Sequence, residues 1–180
     1  MKQTRMLVLT ALFAALTAIG GFLKIPTPVS AVTLQFLFTV MAGVLLGPRW
    51  GALSQGVYVA LGLAGLPVFT AGGGLSYLLH PTCGFLFGMV AAAAVVGAVA
   101  GPGVPSPRRV FLAGLAGLAV LYLIGLPYMY AVMNLYLGKG MTAWAVFRAG
   151  CLLFLPGDFA KLAVAAAVCP ILARRLADVH

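Results

Sequence analysis

The chain has 180 residues, 63% of them hydrophobic and 7% charged, with 23 glycines and a mean hydropathy of +1.14. These values exclude an ordinary soluble domain and describe an all-α integral membrane protein. The net charge of +9 arises from 11 Lys and Arg against 2 Asp and Glu, and the placement of the bases decides between nucleic acid and membrane.

Apolar runs near 6–23, 32–47, 50–66, 82–100, 110–137 and 143–173 predict six transmembrane helices in one domain spanning 1–180. Most of these runs approach or exceed the ~20 residues that cross the hydrocarbon. The first follows Lys2 and Arg5 as a signal peptide would, but no convincing cleavage site closes it, so it is kept as a helix. Lys2, Arg5, Arg49, Arg108, Arg109, Arg174 and Arg175 fall on one side of this arrangement, and Lys24, Lys139 and Arg148 on the other. The positive-inside rule then makes the chain multi-pass in the cytoplasmic membrane with both termini cytoplasmic. The bases meet anionic lipid headgroups, and no nucleic-acid partner is needed to explain them.

In the first run, Ala11 and Ala15 lie four residues apart, with Ala14 and Ala18 one position round. Such faces permit close helix approach in lipid, either within the chain or to a partner. Gly43/Gly47, Gly84/Gly88 and Ala113/Gly117 have the same spacing and are expected to close the chain's own bundle. The connection "KIPTPVSAVTLQ" holds Pro26 and Pro28, which break a helix, and the polar Thr27, Ser30, Thr33 and Gln35. Gln35 then enters the bilayer, where its amide must either hold a neighbouring backbone or face a cavity.

The loop "GLPVFTAGGGLSYLLHPTCG" (65–84) is too apolar for a solvated linker, so it is expected to fold back over the bundle. Gly72, Gly73 and Gly74 either let a ligand approach the main chain or form an ordinary tight connection. They are not a phosphate loop, since no Lys-Ser or Lys-Thr follows at the required spacing. The fifth run places Tyr122, Tyr128, Tyr130, Asn134 and Tyr136 in its outer half around Pro127. An interfacial aromatic belt accounts for Tyr136 and Tyr130, whereas an amide such as Asn134 needs a polar partner, which a pocket would supply. Cys83, Cys151 and Cys169 are odd in number and without metal spacing, and read as packing residues.

"FLPGDFAKL" (154–162) carries the acid and base that stand out in the last run. Asp158 and Lys161, three residues apart, share a helix face. Each charge alone costs roughly 3 kcal/mol or more at the bilayer centre, so they are expected to pair. Pro156 and Gly157 divide the run, with Asp158 near the start of the second piece. Three roles follow: a salt bridge fixing register, a carboxylate capping free N–H groups, or a complementary pair for a ligand bearing N–H and carbonyl groups, such as a urea or amide.

"TLQ" (33–35), "LLGPRWGALSQ" (45–55), "GLPVF" (65–69), "PTCGFLFG" (81–88), "PY" (127–128) and "PGDFAK" (156–161) together resemble the BioY family, the biotin-specific substrate-binding (S) components of energy-coupling factor (ECF) transporters. The resemblance covers nearly the whole chain. It implies the six-helix ECF S-component fold, high-affinity biotin binding and uptake, no enzymatic activity and no cofactor. It also implies a transmembrane coupling subunit of the EcfT type, docked on the Ala11/Ala15 face, and two cytoplasmic ATPase subunits, because the chain has no Walker motif of its own. Asp158 and Lys161 match the family's motif and would hold the ureido ring. Gln35, Gly73, Gly74, Tyr77, Tyr128 and Asn134 are assigned to the pocket or its lid, and Arg148 or Lys139 to biotin's carboxylate by charge and external placement. The family's loop often has glycines where this chain has His80 and Cys83, and His80 reads as a surface or interface residue rather than a base. An S component for thiamine or riboflavin, a solitary secondary transporter, and homo-oligomerisation of the chain alone remain open. A membrane enzyme is disfavoured, since no metal set, GxSxG elbow or second intramembrane carboxylate is visible.

Overall fold

The computed structural model describes residues 2–26 and 31–177; Thr27, Pro28 and Ser30 of the first loop lie outside them. In chain order the elements are α1 (Lys2–Phe22), a small hairpin of β1 (Lys24–Pro26) and β2 (Ala31–Thr33), α2 (Gln35–Leu63), a 3₁₀ turn (Leu75–Leu79), α3 (Cys83–Ala100) and α4 (Pro107–Ala131). The chain ends with α5 (Ala143–Phe147) and α6 (Leu155–Ala177), and π turns at Val132–Tyr136 and Arg148–Leu152 follow α4 and α5. The two strands are antiparallel, with Lys24 opposite Thr33 and Ile25 opposite Val32.

Five helical stretches among the described residues are long and apolar enough to cross a membrane, one fewer than the sequence predicts. The difference lies in α2, which is bent double. Gly47 breaks it with φ 80° and ψ 179°, a conformation that a residue with a Cβ avoids, and Pro48 begins the next helical turn. A methyl placed on Gly51 would lie 2.8 Å from the Cα of Gly43, although eight residues of straight helix would separate them by about 12 Å. Further from the bend, Thr39 bonds Gln55 and Gln35 bonds Tyr58. The arms 35–46 and 48–63 therefore run antiparallel, and the two runs expected as separate helices are the arms of one hairpin.

The other helix ends follow local chemistry. Ser106 caps α4 by accepting from the Arg109 N–H, with Pro107 at the first helical position. Thr142 caps α5 in the same way through Ala145. The break expected around Pro156 is present, because the helical run is interrupted at 153–154 and α6 starts at Leu155.

Small residues bring the helices together. A Cβ on Gly43 would meet Ala93 O and Val96, one on Gly88 would meet Leu121, and one on Gly117 would meet Val96. These positions pack inside the bundle as expected, and Gly84 does likewise against Tyr128. Ala14 is buried, whereas Ala11 and Ala15 are exposed beside Leu7, Val8 and Leu12. The three cysteines are free and buried.

A polar seam ties α1 to the hairpin. Gln55, wholly buried, donates to Thr17 Oγ1 and to Ser54 Oγ and accepts from Thr39 Oγ1. Where no water reaches, these bonds satisfy an amide that would otherwise be expensive to bury. Arg5, Arg49, Arg108, Arg109, Arg174 and Arg175 gather at the end where Arg5 donates to the Leu176 carbonyl and Arg109 to that of Val99. Asp158 and Lys161 lie at the start of α6, near the opposite end.

Candidate functional site

At that opposite end a cavity of about 90 Å³ is lined by residues of β2, α2, the 65–82 loop, α3, α4, the π turn before α6, and α6 itself. Phe36, Phe85, Leu86, Met89, Leu121 and Phe154 give it apolar walls.

The acid and the base form the polar pole of the cavity. Asp158 and Lys161 are 4% and 8% exposed, and Lys161 Nζ donates to Asp158 Oδ1 at 2.7 Å. The Tyr122 hydroxyl, from α4, donates to the other carboxylate oxygen, Oδ2. The carboxylate thus holds one charged and one neutral donor, and each of its oxygens retains acceptor capacity. The expected capping role is not seen: the Asp158 N–H is bonded to the Phe154 carbonyl and both side-chain oxygens are turned to Lys161 and Tyr122. Position in the first turn of α6 still suits a negative charge.

Gln35 also lines the cavity and is held from two sides. Its Nε2 donates to the Tyr58 hydroxyl, its Oε1 accepts from Thr33, and Tyr58 passes its own proton to the Val68 carbonyl. Tyr77, from the 3₁₀ turn, lines the cavity while 5% exposed, between the ring of Phe69 and the stacked imidazole of His80.

The loop does fold back over the bundle, yet of its three glycines Gly73 faces the protein, while Gly72 and Gly74 serve the turn through positive φ. A Cβ on Gly73 would sit 2.1 Å from the Leu66 carbonyl oxygen, and the Gly74 N–H donates to Gly62 O. Neither glycine lines the cavity: the close approach at Gly73 is to the chain's own backbone, and Gly74 is required by its φ of 97°. Tyr128 does not line it either; its hydroxyl holds the Leu78 carbonyl and so pins the loop to α4. Asn134 finds its partner in Met141, bonding both the N–H and the carbonyl of that residue to close the 137–142 turn. Arg148 is exposed at the surface and Lys139 likewise, and the cavity lining includes neither.

The sequence reading missed Tyr122 as the second partner of Asp158. Its signal was depth: Tyr122 lies fourteen residues before Tyr136, about 21 Å along a helix, too far to share one interfacial belt with it. Thr70 and Thr82 carried no comparable signal, since hydroxyls are ordinary in loops.

A helical membrane bundle with a water-accessible cavity at one end, apolar walls and a buried acid–base pair defines a small-molecule-binding membrane protein of the transporter class. Residues 1–178 match the model of the BioY family, and the chain belongs to that family. It is 43% identical over 97% of its length to a probable biotin transporter BioY of Lysinibacillus sphaericus, covering 88% of that protein. It is 35% identical over 91% of its length to the biotin transporter BioY of Thermotoga maritima, covering 93% of it. Its fold superposes with a TM-score of 0.81 and 25% identity on the S-component for biotin from an ECF-type ABC transporter, covering 96% of this chain and 93% of that one.

Proposed function

We propose that this chain binds biotin in the cavity at the head of α6 and serves its uptake as the substrate-binding component of an ECF-type transporter. The observation that carries the reading is the Asp158–Lys161–Tyr122 cluster, buried on the wall of an otherwise apolar cavity. Biotin's ureido ring has N–H donors beside a carbonyl acceptor. Asp158 accepts from the N–H groups and Lys161, which has donors to spare, donates to the carbonyl, while Tyr122 keeps its one proton on Asp158, so no buried charge is left unpaired. Gln35 lies across the same cavity with an amide to offer. The aromatic and methionine walls suit the sulfur-containing bicycle and the alkyl chain.

Names of relatives support the ligand, and the location of the bases supports the orientation. The arginine-rich end, where both termini lie, is cytoplasmic by the positive-inside rule, which puts the cavity on the external side. The exposed face of Ala11 and Ala15 is flat enough for another helix to approach, and we assign it to the coupling subunit, with two ATPase subunits beyond it. Asp158 and Lys161 act in binding, not in bond making or breaking.

Calorimetric titration of the detergent-purified chain, prepared from biotin-free medium, tests this directly. One-to-one binding of biotin with no response to thiamine or riboflavin is expected. A response to either of the others in preference to biotin, or to none of the three, would sink the reading.

A further inference from the structure

Under this biotin reading the ligand's carboxylate needs a partner, and neither Arg148 nor Lys139 lines the cavity or hydrogen-bonds through its side chain to a residue that does. A chain of hydroxyls does. Thr70 Oγ1 lies 3.0 Å from the Tyr77 hydroxyl, which lies 3.1 Å from Thr82 Oγ1, which lies 2.7 Å from His80 Nδ1. Thr70, Tyr77 and Thr82 all face the cavity.

The direction of the protons follows from the far end. The backbone N–H of Thr82 also points to His80 Nδ1, at 3.3 Å, which makes that nitrogen the acceptor of the neutral ring and leaves the ring proton on Nε2. The Thr82 hydroxyl then donates to His80, and Tyr77 donates to Thr82. Thr70 stands at the head of the chain, with a proton free to turn to Tyr77 or to a ligand.

A cation is brought to the same residue. Lys24, exposed on β1 and itself just outside the cavity lining, donates its Nζ to the carbonyl of the lining residue Thr70, so the β-hairpin is tied to the loop at this corner. Thr33, the last residue of β2, lines the cavity as well. Asp158, the acid among the described residues, is already held by Lys161 and Tyr122, so no carboxylate competes for Lys24 at this corner.

We infer that the ligand's carboxylate is received at the Thr70 corner of the cavity, by the Thr70 hydroxyl, with the Lys24 ammonium supplying the opposite charge. The ligand then lies with its urea on Asp158 and Lys161, its apolar middle between the aromatic walls and its acid at the mouth. Because Lys24 is exposed, its attraction is screened by salt, in contrast to that of Lys161.

The experiment is titration of the full chain with biotin and with the neutral biotin carboxamide, in low and in high salt. The unaltered chain is expected to favour biotin by about tenfold or more, the size of one charge-assisted hydrogen bond, and to lose part of that preference in high salt. Lys24→Gln, on the surface and so harmless to folding, is expected to bring biotin down to within about threefold of the carboxamide. Thr70→Val, which keeps the shape and removes the hydroxyl, is expected to act in the same direction. Equal losses for both ligands in these variants would overturn the inference in favour of a purely structural tie, as would an intact preference in Lys24→Gln. Equal affinity for both ligands in the unaltered chain would place the carboxylate in solvent and overturn it while leaving the biotin reading standing. Failure to bind either ligand would remove both.

Discussion

Replacing Lys161 by Met takes the ammonium from a carboxylate that is 4% exposed and leaves Asp158 with the Tyr122 hydroxyl as its remaining side-chain partner. Removing one partner of a buried ion pair destabilises by about 3–5 kcal/mol, because the other charge stays behind without compensation. The 2.7 Å separation and the burial of both groups place this pair in that regime rather than among surface bridges. For a chain of this size the loss corresponds to a fall of roughly 6–20 °C in the melting temperature. The triple variant Asp158→Leu, Lys161→Met, Tyr122→Phe removes all three polar groups together and is expected to recover most of that loss, while binding no biotin. Thermal unfolding in detergent, with and without biotin, reads both quantities. A triple variant as unstable as Lys161→Met would refute the claim that the cluster exists for the ligand rather than for the fold, and a Lys161→Met variant as stable as the unaltered chain would refute the uncompensated burial of Asp158 on which the magnitude rests.

Asp158→Asn keeps the shape but removes the anionic acceptor, and biotin binding is expected to weaken by about 1.5–3 kcal/mol in the same titration. Gly73→Ala drives a methyl into the Leu66 carbonyl, 2.1 Å away, so the loop must shift; a loss of about 1–3 kcal/mol in stability is expected by thermal melting. Bulky side chains at Ala11 or Ala15 are expected to leave biotin binding intact and to abolish co-purification with the coupling subunit, since both positions are exposed. Burial lowers the pKa of His80 below its usual 6.5. The folded chain therefore binds this proton less well than the unfolded one, and the stability His80 contributes is present above pH 6.5 and falls as the pH drops through that value toward the folded pKa. Melting curves from pH 8 to pH 5 for the unaltered chain and His80→Asn check the sign: the slope in this window is expected to flatten in the variant.

Much of the fold was legible because lipid leaves few choices. Runs of apolar residues must become helices, and bases gather at one end, so the membrane class could be read directly and the helix count to within one. The joining of two of those passes into one bent α2 could not, since Gly47-Pro48 looks like any short connection until Gly43 is seen against Gly51. Asp158 and Lys161 were legible from a spacing of three residues and the expense of their burial. Asn134 was correctly read as needing a partner, but a hydrogen-bonding requirement does not say which partner meets it, and the Met141 backbone did. Gly73 was likewise read as a site of close approach, and the sequence holds no sign that the Leu66 and Gly62 carbonyls are what approaches. Arg148 had only its charge to recommend it, and charge carries no direction.

The bend in α2 has a consequence for the order in which the site is assembled. Its pairings close outward from Gly47, first Gly43 with Gly51, then Thr39 with Gln55, then Gln35 with Tyr58. Each step joins residues whose nearer neighbours are already together, so little loop entropy opposes it. The bond from Gln55 to Thr17 needs only α1, already synthesised, whereas the packing of Gly43 on Val96 and the bond from Tyr58 to Val68 wait for residues translated later. At ~5–20 residues per second, roughly 5–20 s of synthesis separate the end of this hairpin from the emergence of Asp158. The hydrogen-bond partners within α2, Gln35 and Tyr58 among them, are thus all available to one another before the acid and the base are translated, and the last helix brings its charges to residues that do not depend on it for those bonds.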